Sequence, residues 1–173
     1  MKEMRGQTSI VIQAPAEVVY EYVLDFTKHP EWNYQPVEVT KTSAGPIGVG
    51  STFETIEDVP ESTPWLFNKL FVPLFVFIIG AKPYTEAEIT ALTPNQRIVW
   101  QARAPVRNGY AMKANWEILL TPQHDGTHVT QRFHYTPQTR LARMMTNDRL
   151  AQQVTEECDR NLARLKGILQ GGG

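Results

Sequence analysis

Three turn signals in the second half of the chain constrain its fold more than any other feature. Asn108-Gly109 and Asp125-Gly126 are typical of tight hairpins, whose central residues take positive φ angles. A third turn signal, Thr93-Pro94-Asn95, precedes them. Because hairpin-linked strands are antiparallel neighbours, the turns predict a four-stranded meander. Its strands lie near residues 82–92, 96–104, 109–121 and 127–135.

Polar and apolar residues alternate along these strands, which predicts one wet and one covered face. In the third strand of the meander the covered face carries Tyr110, Met112, Ala114, Trp116, Ile118 and Leu120. A C-terminal helix is predicted to pack against this covered face, because apolar residues recur there at spacings of three and four and form a stripe. The stripe consists of Ala151, Val154, Cys158, Leu162, Leu165 and Leu169. Thr136-Pro137 is a suitable start for this helical region, with Thr136 as the N-cap.

The first half of the chain adds helical and strand-like segments to this plan. A helix is predicted after Pro15, and strands near 8–13, 37–42 and 51–57. This order of strands and helices along the chain predicts an α+β fold, in which an antiparallel sheet curls around one long C-terminal helix. With no repeat and no linker, residues 1–170 are interpreted as a single domain and residues 171–173 as a flexible glycine tail.

Composition excludes several classes of protein. Lys and Arg total 17 and Asp and Glu total 18, so the net charge of −1 argues against nucleic-acid binding. A hydrophobic content of 42% argues against a disordered chain. The single cysteine excludes an internal disulfide, and residues 1–20 lack the apolar core of a signal peptide. These features predict a soluble, cytoplasmic domain.

Five segments carry a family resemblance through their order and spacing: residues 14–20, 25–32, 48–53, 116–121 and 126–130. Residues 7–169 thereby resemble the START/Bet v 1-like superfamily and, within it, the polyketide cyclase/dehydrase and lipid-transport (SRPBCC) family. The resemblance implies a helix-grip fold: a seven-stranded curved antiparallel sheet around a long C-terminal helix, two short helices after strand one, and a hydrophobic tunnel. That fold serves lipid carriers, ring cyclases, hormone receptors and chaperone activators alike.

The covered faces of the strands and helix supply the residues expected to line the tunnel. Any one of these residues alone is more typical of an ordinary core, but the set is rich in aromatic residues and Met, which adapt to apolar ligands. Tyr110, Gln131 and Tyr135 are the polar members able to orient a ligand hydroxyl or carbonyl. The predicted ligand-binding residues are Trp32, Trp100, Tyr110, Met112, Trp116, Gln131, Phe133, Tyr135, Met144 and Val154.

Acid–base candidates are fewer. Asp25 and His29 stand four residues apart, so on a continuous helix they could meet and form an oriented general base. The favoured interpretation is instead a helix-end contact, in which Asp25 ends one helix and Pro30 starts another. Together with Tyr110 and Tyr135, Asp25 and His29 are the candidates for a cyclase or dehydratase. Without a recognisable catalytic set, the favoured hypothesis is a non-catalytic binder or carrier of an apolar molecule such as a lipid, isoprenoid or polyketide-like aromatic.

Other chemistry is not supported by the sequence. His128 and His134 share a strand face but are separated by about 20 Å, which no single metal ion bridges. Glu86 and Glu88 lie on one strand face, as a pair of catalytic carboxylates would. They alternate with uncharged residues, however, and arginines occur on the next strand, so cross-strand ion pairing on an outer face is favoured. Cys158 belongs to the apolar stripe and is interpreted as an inert buried thiol. No cofactor or metal is expected.

A hydrophobic insertion, residues 59–81, separates the third and fourth strands of the full sheet. Its apolar run, 70–79, is too short to span a membrane. The favoured interpretation is a buried element or a lid over the tunnel. The alternatives are peripheral membrane contact or a dimer contact through residues 66–79. A third functional hypothesis is therefore a partner-binding protein that uses this insertion.

Overall fold

The computed structural model describes residues 3–35, 37–57 and 80–171, which form seven strands and four α-helices. The strands are β1 (Met4–Ile12), β2 (Val37–Lys41), β3 (Thr52–Glu57), β4 (Thr85–Thr93), β5 (Arg97–Val106), β6 (Gly109–Gln123) and β7 (Gly126–Pro137). The helices are α1 (Ala16–Leu24), α2 (His29–Trp32), α3 (Arg140–Met145) and α4 (Asp148–Gly171), with a 3-10 turn at Phe26–Lys28 between α1 and α2.

The strands form one antiparallel sheet in the order β1-β7-β6-β5-β4-β3-β2. Helix α4 packs against the covered face, where Leu162 and Leu165 are buried and Thr8 of β1 hydrogen-bonds Asp159. The α+β helix-grip architecture predicted from the sequence is thus confirmed. All three predicted turns of the meander separate the strands as expected.

The start of the C-terminal helical region differs from the prediction. Strand β7 remains paired as far as Pro137, which lies opposite Met112, so Thr136 is a strand residue and does not cap a helix. Thr139 caps α3 instead, its Oγ1 accepting a hydrogen bond from the Ala142 N–H at 3.1 Å. A Thr-Pro pair suits a strand end as well as a helix start, and cross-strand pairing decides between them here.

A second difference is that the helical region is divided. Helix α3 ends at Met145, and Asn147 begins α4 by accepting a hydrogen bond from the Leu150 N–H at 2.9 Å. At the other end, Gly171 is the last residue of α4. The first residue of the predicted tail, 171–173, is therefore helical, and residues 172 and 173 lie outside the described residues.

Of the predicted insertion, residues 59–81, the structure describes only the last two residues, Gly80 and Ala81. Residues 59–79, and with them the segment 66–79 considered for membrane or dimer contact, lie outside the described residues. From Gly80 onward the chain leads into β4, and the Lys82 N–H donates to the Pro105 carbonyl at 3.0 Å. Among the described helices, none combines the length and apolarity needed to cross a bilayer.

Candidate functional site

A cavity of about 280 Å³ lies between the covered face of the sheet and the side formed by α2 and α4. Its floor is a row of small side chains on neighbouring strands: Ala87 of β4 pairs with Ala102 of β5, which pairs with Ala114 of β6. Ala104 adjoins this row. Protein interiors are normally close-packed, so methyl side chains at facing positions leave the space that larger residues would fill.

Aromatic rings form one wall of the cavity. Trp100 and Trp116 are register partners, and their rings lie 7° from parallel with centroids 6.0 Å apart. Phe26 meets Trp100 edge-on at 5.3 Å, and Tyr135 meets Trp116 edge-on at 5.6 Å. The cavity is therefore bounded by flat apolar faces of the kind that planar ligands stack upon.

Helix α2 contributes two side chains from a single turn, His29 and Trp32, whose ring centroids are 4.8 Å apart. Pro30 favours the start of this short helix because its missing N–H falls where no intrahelical partner exists. The His29 Nε2 lies 3.1 Å from the Val23 carbonyl oxygen. A carbonyl only accepts, so Nε2 carries the proton and Nδ1 is the acceptor of the neutral ring.

Burial determines the charge of His29, which is 8% exposed. Desolvation lowers its pKa to about 4, and this effect exceeds the opposing effects of the Val23 hydrogen bond and the Asp25 carboxylate. At pH 7 the ring is consequently neutral.

Two buried polar atoms on lining side chains have no hydrogen-bond partner within the described part of the chain. They are Nε1 of Trp32 and Oε1 of Gln131. Both residues are nearly inaccessible, at 1% and 3% exposure. Buried polar groups normally find a partner, so these two side chains are candidates for a polar contact with a bound molecule.

A polar rim borders the cavity where the chain after α2 meets α4. Gln35 Nε2 donates to Glu157 Oε1 at 2.8 Å, and the Tyr34 N–H donates to Asn161 Oδ1 at 2.5 Å. Asn33 also lies on this rim. Neither lysine nor arginine occurs among the lining residues that the structure describes.

Seven of the ten predicted ligand-binding residues line this cavity. They are Trp32, Trp100, Met112, Trp116, Gln131, Tyr135 and Val154. The structure thus brings together residues from α2, α4 and three strands.

Tyr110 lies on the opposite face of the sheet, contrary to the prediction. The pairing of β5 with β6 skips Ala111, and this β-bulge reverses the alternation before Met112. The Tyr110 hydroxyl donates to Glu86 Oε2 at 3.1 Å on the outer face. Its predicted roles in orienting a ligand and in acid–base chemistry inside the tunnel do not fit this position.

Phe133 and Met144 are also not among the residues that line the cavity. Phe133 packs in a second apolar cluster with Met4, Val154 and Cys158. Met144 is 81% exposed, because α3 is a separate helix rather than the first turns of α4.

The proposed Asp25–His29 pair is not formed by one helix. Helix α1 ends at Leu24, and Asp25 caps the following turn by accepting from the Thr27 N–H at 3.2 Å and the Thr27 hydroxyl at 2.5 Å. The helix-end alternative is therefore the observed role of Asp25. Of the four acid–base candidates, His29 and Tyr135 line the cavity.

The remaining chemical groups behave as structural elements. Arg103 Nη2 pairs with Glu88 Oε2 at 2.8 Å on the outer face. Burial raises the pKa of the Cys158 thiol to about 12. Within residues 3–35, 37–57 and 80–171, no three histidine, cysteine or carboxylate side chains are placed to hold a metal ion.

Sequence reasoning missed the alanine floor, Phe26 and the polar rim. The alanines could have been found, since Ala87, Ala102 and Ala114 occupy covered positions of predicted strands, where small residues indicate empty space. The rim residues Gln35, Glu157 and Asn161 carry no local signal, because only the docking of α4 brings them together.

A curved antiparallel sheet that encloses a cavity beneath a long C-terminal helix defines a helix-grip protein. The family model for polyketide cyclase/dehydrase and lipid transport matches residues 4–170, and the chain belongs to that family. A comparison with curated proteins found no match.

Solved structures show the same fold at low sequence identity. The di-domain ARO/CYC StfQ from the steffimycin biosynthetic pathway is 12% identical, with a TM-score of 0.68, covering 98% of this chain and 51% of that one. Protein CV1439 from Chromobacterium violaceum is 16% identical, with a TM-score of 0.66 and coverage of 95% and 96%. Ara h 8.0201 is 9% identical, with a TM-score of 0.66 and coverage of 99% and 100%.

Proposed function

We propose that the protein binds or carries an uncharged, largely apolar small molecule in the cavity, and that a polyketide-like aromatic fits it better than a fatty acid. The observation that carries the proposal is the 280 Å³ space between an alanine floor and the parallel rings of Trp100 and Trp116. Concave, mostly apolar spaces with a few polar groups are the usual form of small-molecule sites.

The electrostatics of the lining support an uncharged ligand. A buried carboxylate or phosphate requires a compensating cation or several donors. The described lining contains no lysine or arginine, and His29 is neutral at pH 7 because burial holds its pKa near 4. A fatty-acid carboxylate would therefore lose its hydration without gaining an ion pair from these residues.

Binding without catalysis is supported by the positions of the acid–base candidates. Asp25 and Tyr110 lie off the cavity, and a histidine with a pKa of about 4 is a weak base at pH 7. A cyclase or dehydratase is the second candidate, since Tyr135 and His29 line the cavity of a chain in the polyketide cyclase/dehydrase family.

A matched pair of variants tests the binding proposal. Ala102→Leu places a larger side chain on the cavity floor, whereas Ala91→Leu makes the same change on the outer face, where Ala91 pairs with Val99. With the uncharged dye Nile red as the probe, we expect Ala102→Leu to weaken binding about tenfold or more through overpacking of the site. The Ala91→Leu protein should bind as the wild type does.

Equal effects of the two leucine substitutions would contradict the proposal. Native mass spectrometry of the protein purified from cells gives an independent measurement. A retained adduct of small-molecule mass supports a carrier, and protein that is empty and also fails to bind Nile red contradicts it.

The cyclase candidate has its own test. Turnover of a poly-β-keto thioester that is lost in Tyr135→Phe but kept in Tyr110→Phe would establish Tyr135 as an acid–base group. No turnover by the wild type, or turnover unaffected by Tyr135→Phe, would remove it from that role.

A further inference from the structure

Helix α2 carries a hydrogen-bond acceptor whose identity is fixed, the Nδ1 atom of His29. Because the Nε2–H of His29 is engaged by the Val23 carbonyl at 3.1 Å, the ring has a single neutral tautomer, with its lone pair on Nδ1. No described residue donates a hydrogen bond to that atom. His29 lines the cavity, so this lone pair belongs to a ring that borders the ligand space.

Helix α2 also carries a hydrogen-bond donor that has no partner among the described residues, the Nε1–H of Trp32. Trp32 is 1% exposed, and its Nε1–H has no acceptor among the described residues. An indole N–H is a donor only and usually finds a partner when buried. Leaving it without one costs free energy that a bound acceptor would restore.

The two rings that carry this acceptor and this donor are neighbours on α2. The rings of His29 and Trp32 lie 4.8 Å apart between centroids and 65° from parallel, and both residues line the cavity. We infer that this pair recognises a hydroxyl group on an aromatic ligand: the hydroxyl oxygen accepts from Trp32 Nε1–H, and the hydroxyl proton is donated to His29 Nδ1. The inference rests on the proposed function and names its ligand class.

The rest of the cavity is consistent with a phenol-like ligand. The parallel Trp100 and Trp116 rings offer flat faces to the ring that bears the hydroxyl. Gln131, whose buried Oε1 has no partner among the described residues, offers a second polar contact on β7. A hydroxylated ring system satisfies these atoms, whereas a plain hydrocarbon leaves them unpaired.

The test compares 2-naphthol with naphthalene by isothermal titration calorimetry. The readout is the ratio of the naphthalene Kd to the 2-naphthol Kd, because this ratio cancels effects common to both ring systems. Trp32→Phe keeps an aromatic ring and removes the N–H, and His29→Phe removes the acceptor. We expect each substitution to lower the ratio about tenfold.

Trp116→Phe is the matched control, since it removes an indole from the same cavity without touching the α2 turn. It should weaken both probes alike and leave the ratio unchanged. An unchanged ratio in Trp32→Phe and His29→Phe, or an equal fall in Trp116→Phe, would overturn the inference while the proposed function stands. If neither probe nor Nile red binds the wild-type protein, the proposed function itself fails.

A measurement on the wild-type protein covers the case in which a variant does not fold. In a proton–nitrogen NMR spectrum, the indole N–H resonance of Trp32 should move downfield on addition of 2-naphthol and remain nearly in place with naphthalene. The same movement with both compounds would contradict the hydroxyl contact.

Discussion

The His29 imidazole donates its Nε2–H to the carbonyl oxygen of Val23 at 3.1 Å, which joins α2 to the last turn of α1. The last carbonyls of a helix have no partner within the helix, so this side chain satisfies one of them. The contact also places a neutral ring at the edge of the cavity. One hydrogen bond therefore serves both the helix end and the candidate site.

The first prediction concerns the dependence of stability on pH. The pKa of His29 falls from 6.5 to about 4 on folding, mainly because burial disfavours the charged ring. The neutral ring therefore contributes stability that is complete above pH 6.5 and is lost as the pH falls from 6.5 towards 4. Between pH 7.5 and pH 5.0 we expect His29 to account for about 2 kcal/mol of the loss in free energy of unfolding.

Urea unfolding of the wild type and His29→Gln at the two pH values measures this difference. The variant should lose about 2 kcal/mol less than the wild type over the interval. His124→Gln is the control, because the His124 side chain is 99% exposed and its removal should leave the pH dependence unchanged. Identical pH dependence in the wild type and His29→Gln would contradict the burial argument.

The second prediction concerns Gly6 of β1, whose backbone lies close to the Phe133 ring and to α4. A Cβ atom at Gly6 would lie 2.3 Å from Cζ of Phe133 and 2.9 Å from Oγ1 of Thr155. Gly6→Ala therefore forces the Phe133 ring or α4 to move, and we expect a loss of about 1–3 kcal/mol in chemical unfolding. Gly48→Ala, where no atom lies within 4 Å of the added Cβ, should change stability by less than about 1 kcal/mol.

The third prediction concerns an ion-pair network on the outer face. Glu117 pairs with Arg97 at 2.6 Å and with Arg132 at 3.3 Å. Glu117→Gln leaves two arginines without their shared carboxylate, and we expect it to lower the free energy of unfolding by about 1 kcal/mol. Because both arginine side chains are about half exposed, the effect should shrink in about 1 M NaCl.

Glu38→Gln provides the comparison for Glu117. Glu38 is exposed on β2 and has no ion pair within the described part of the chain. Its substitution should leave stability nearly unchanged at low and high salt. An effect of Glu117→Gln that does not respond to salt would show that the network contributes through packing rather than charge.

The fourth prediction concerns the reactivity of Cys158. Burial raises the pKa of this thiol to about 12, so the reactive thiolate is scarce at pH 7. We expect a thiol reagent such as DTNB to react at least about 100-fold more slowly with the folded protein than with protein unfolded in urea. Comparable rates in the two states would show that the thiol is accessible in the native fold.

The fold was predictable because its signals are local. The turns at Asn108-Gly109 and Asp125-Gly126 require positive φ angles, and the glycines of both pairs have them, at 102° and 144°. Alternation then places Trp100 and Trp116 on the covered face without knowledge of any partner strand. These two residues are register partners in the structure, as the meander requires.

The site was only partly predictable because alternation fails at a bulge. Tyr110 follows the apolar pattern of β6, yet Ala111, which has no register partner on β5, turns it to the outer face. Nothing local marks that residue as extra, since the bulge is a property of two paired strands. In the same way, Gln35 and Glu157 are 122 positions apart in the sequence, and their contact depends on how α4 docks.

The alanine floor determines which side of the cavity can move. Ala87, Ala102 and Ala114 belong to three strands held together by backbone hydrogen bonds, so the floor does not widen without disrupting the sheet. The opposite side is a seam between the chain after α2 and α4. It is closed by the contacts of Gln35 with Glu157, Tyr34 with Asn161, and Asn33 with Arg164, the last at 2.6 Å. For a ligand bound as proposed, we expect the seam to control the rate of release and the three alanine methyl groups to limit the size of the molecule that fits.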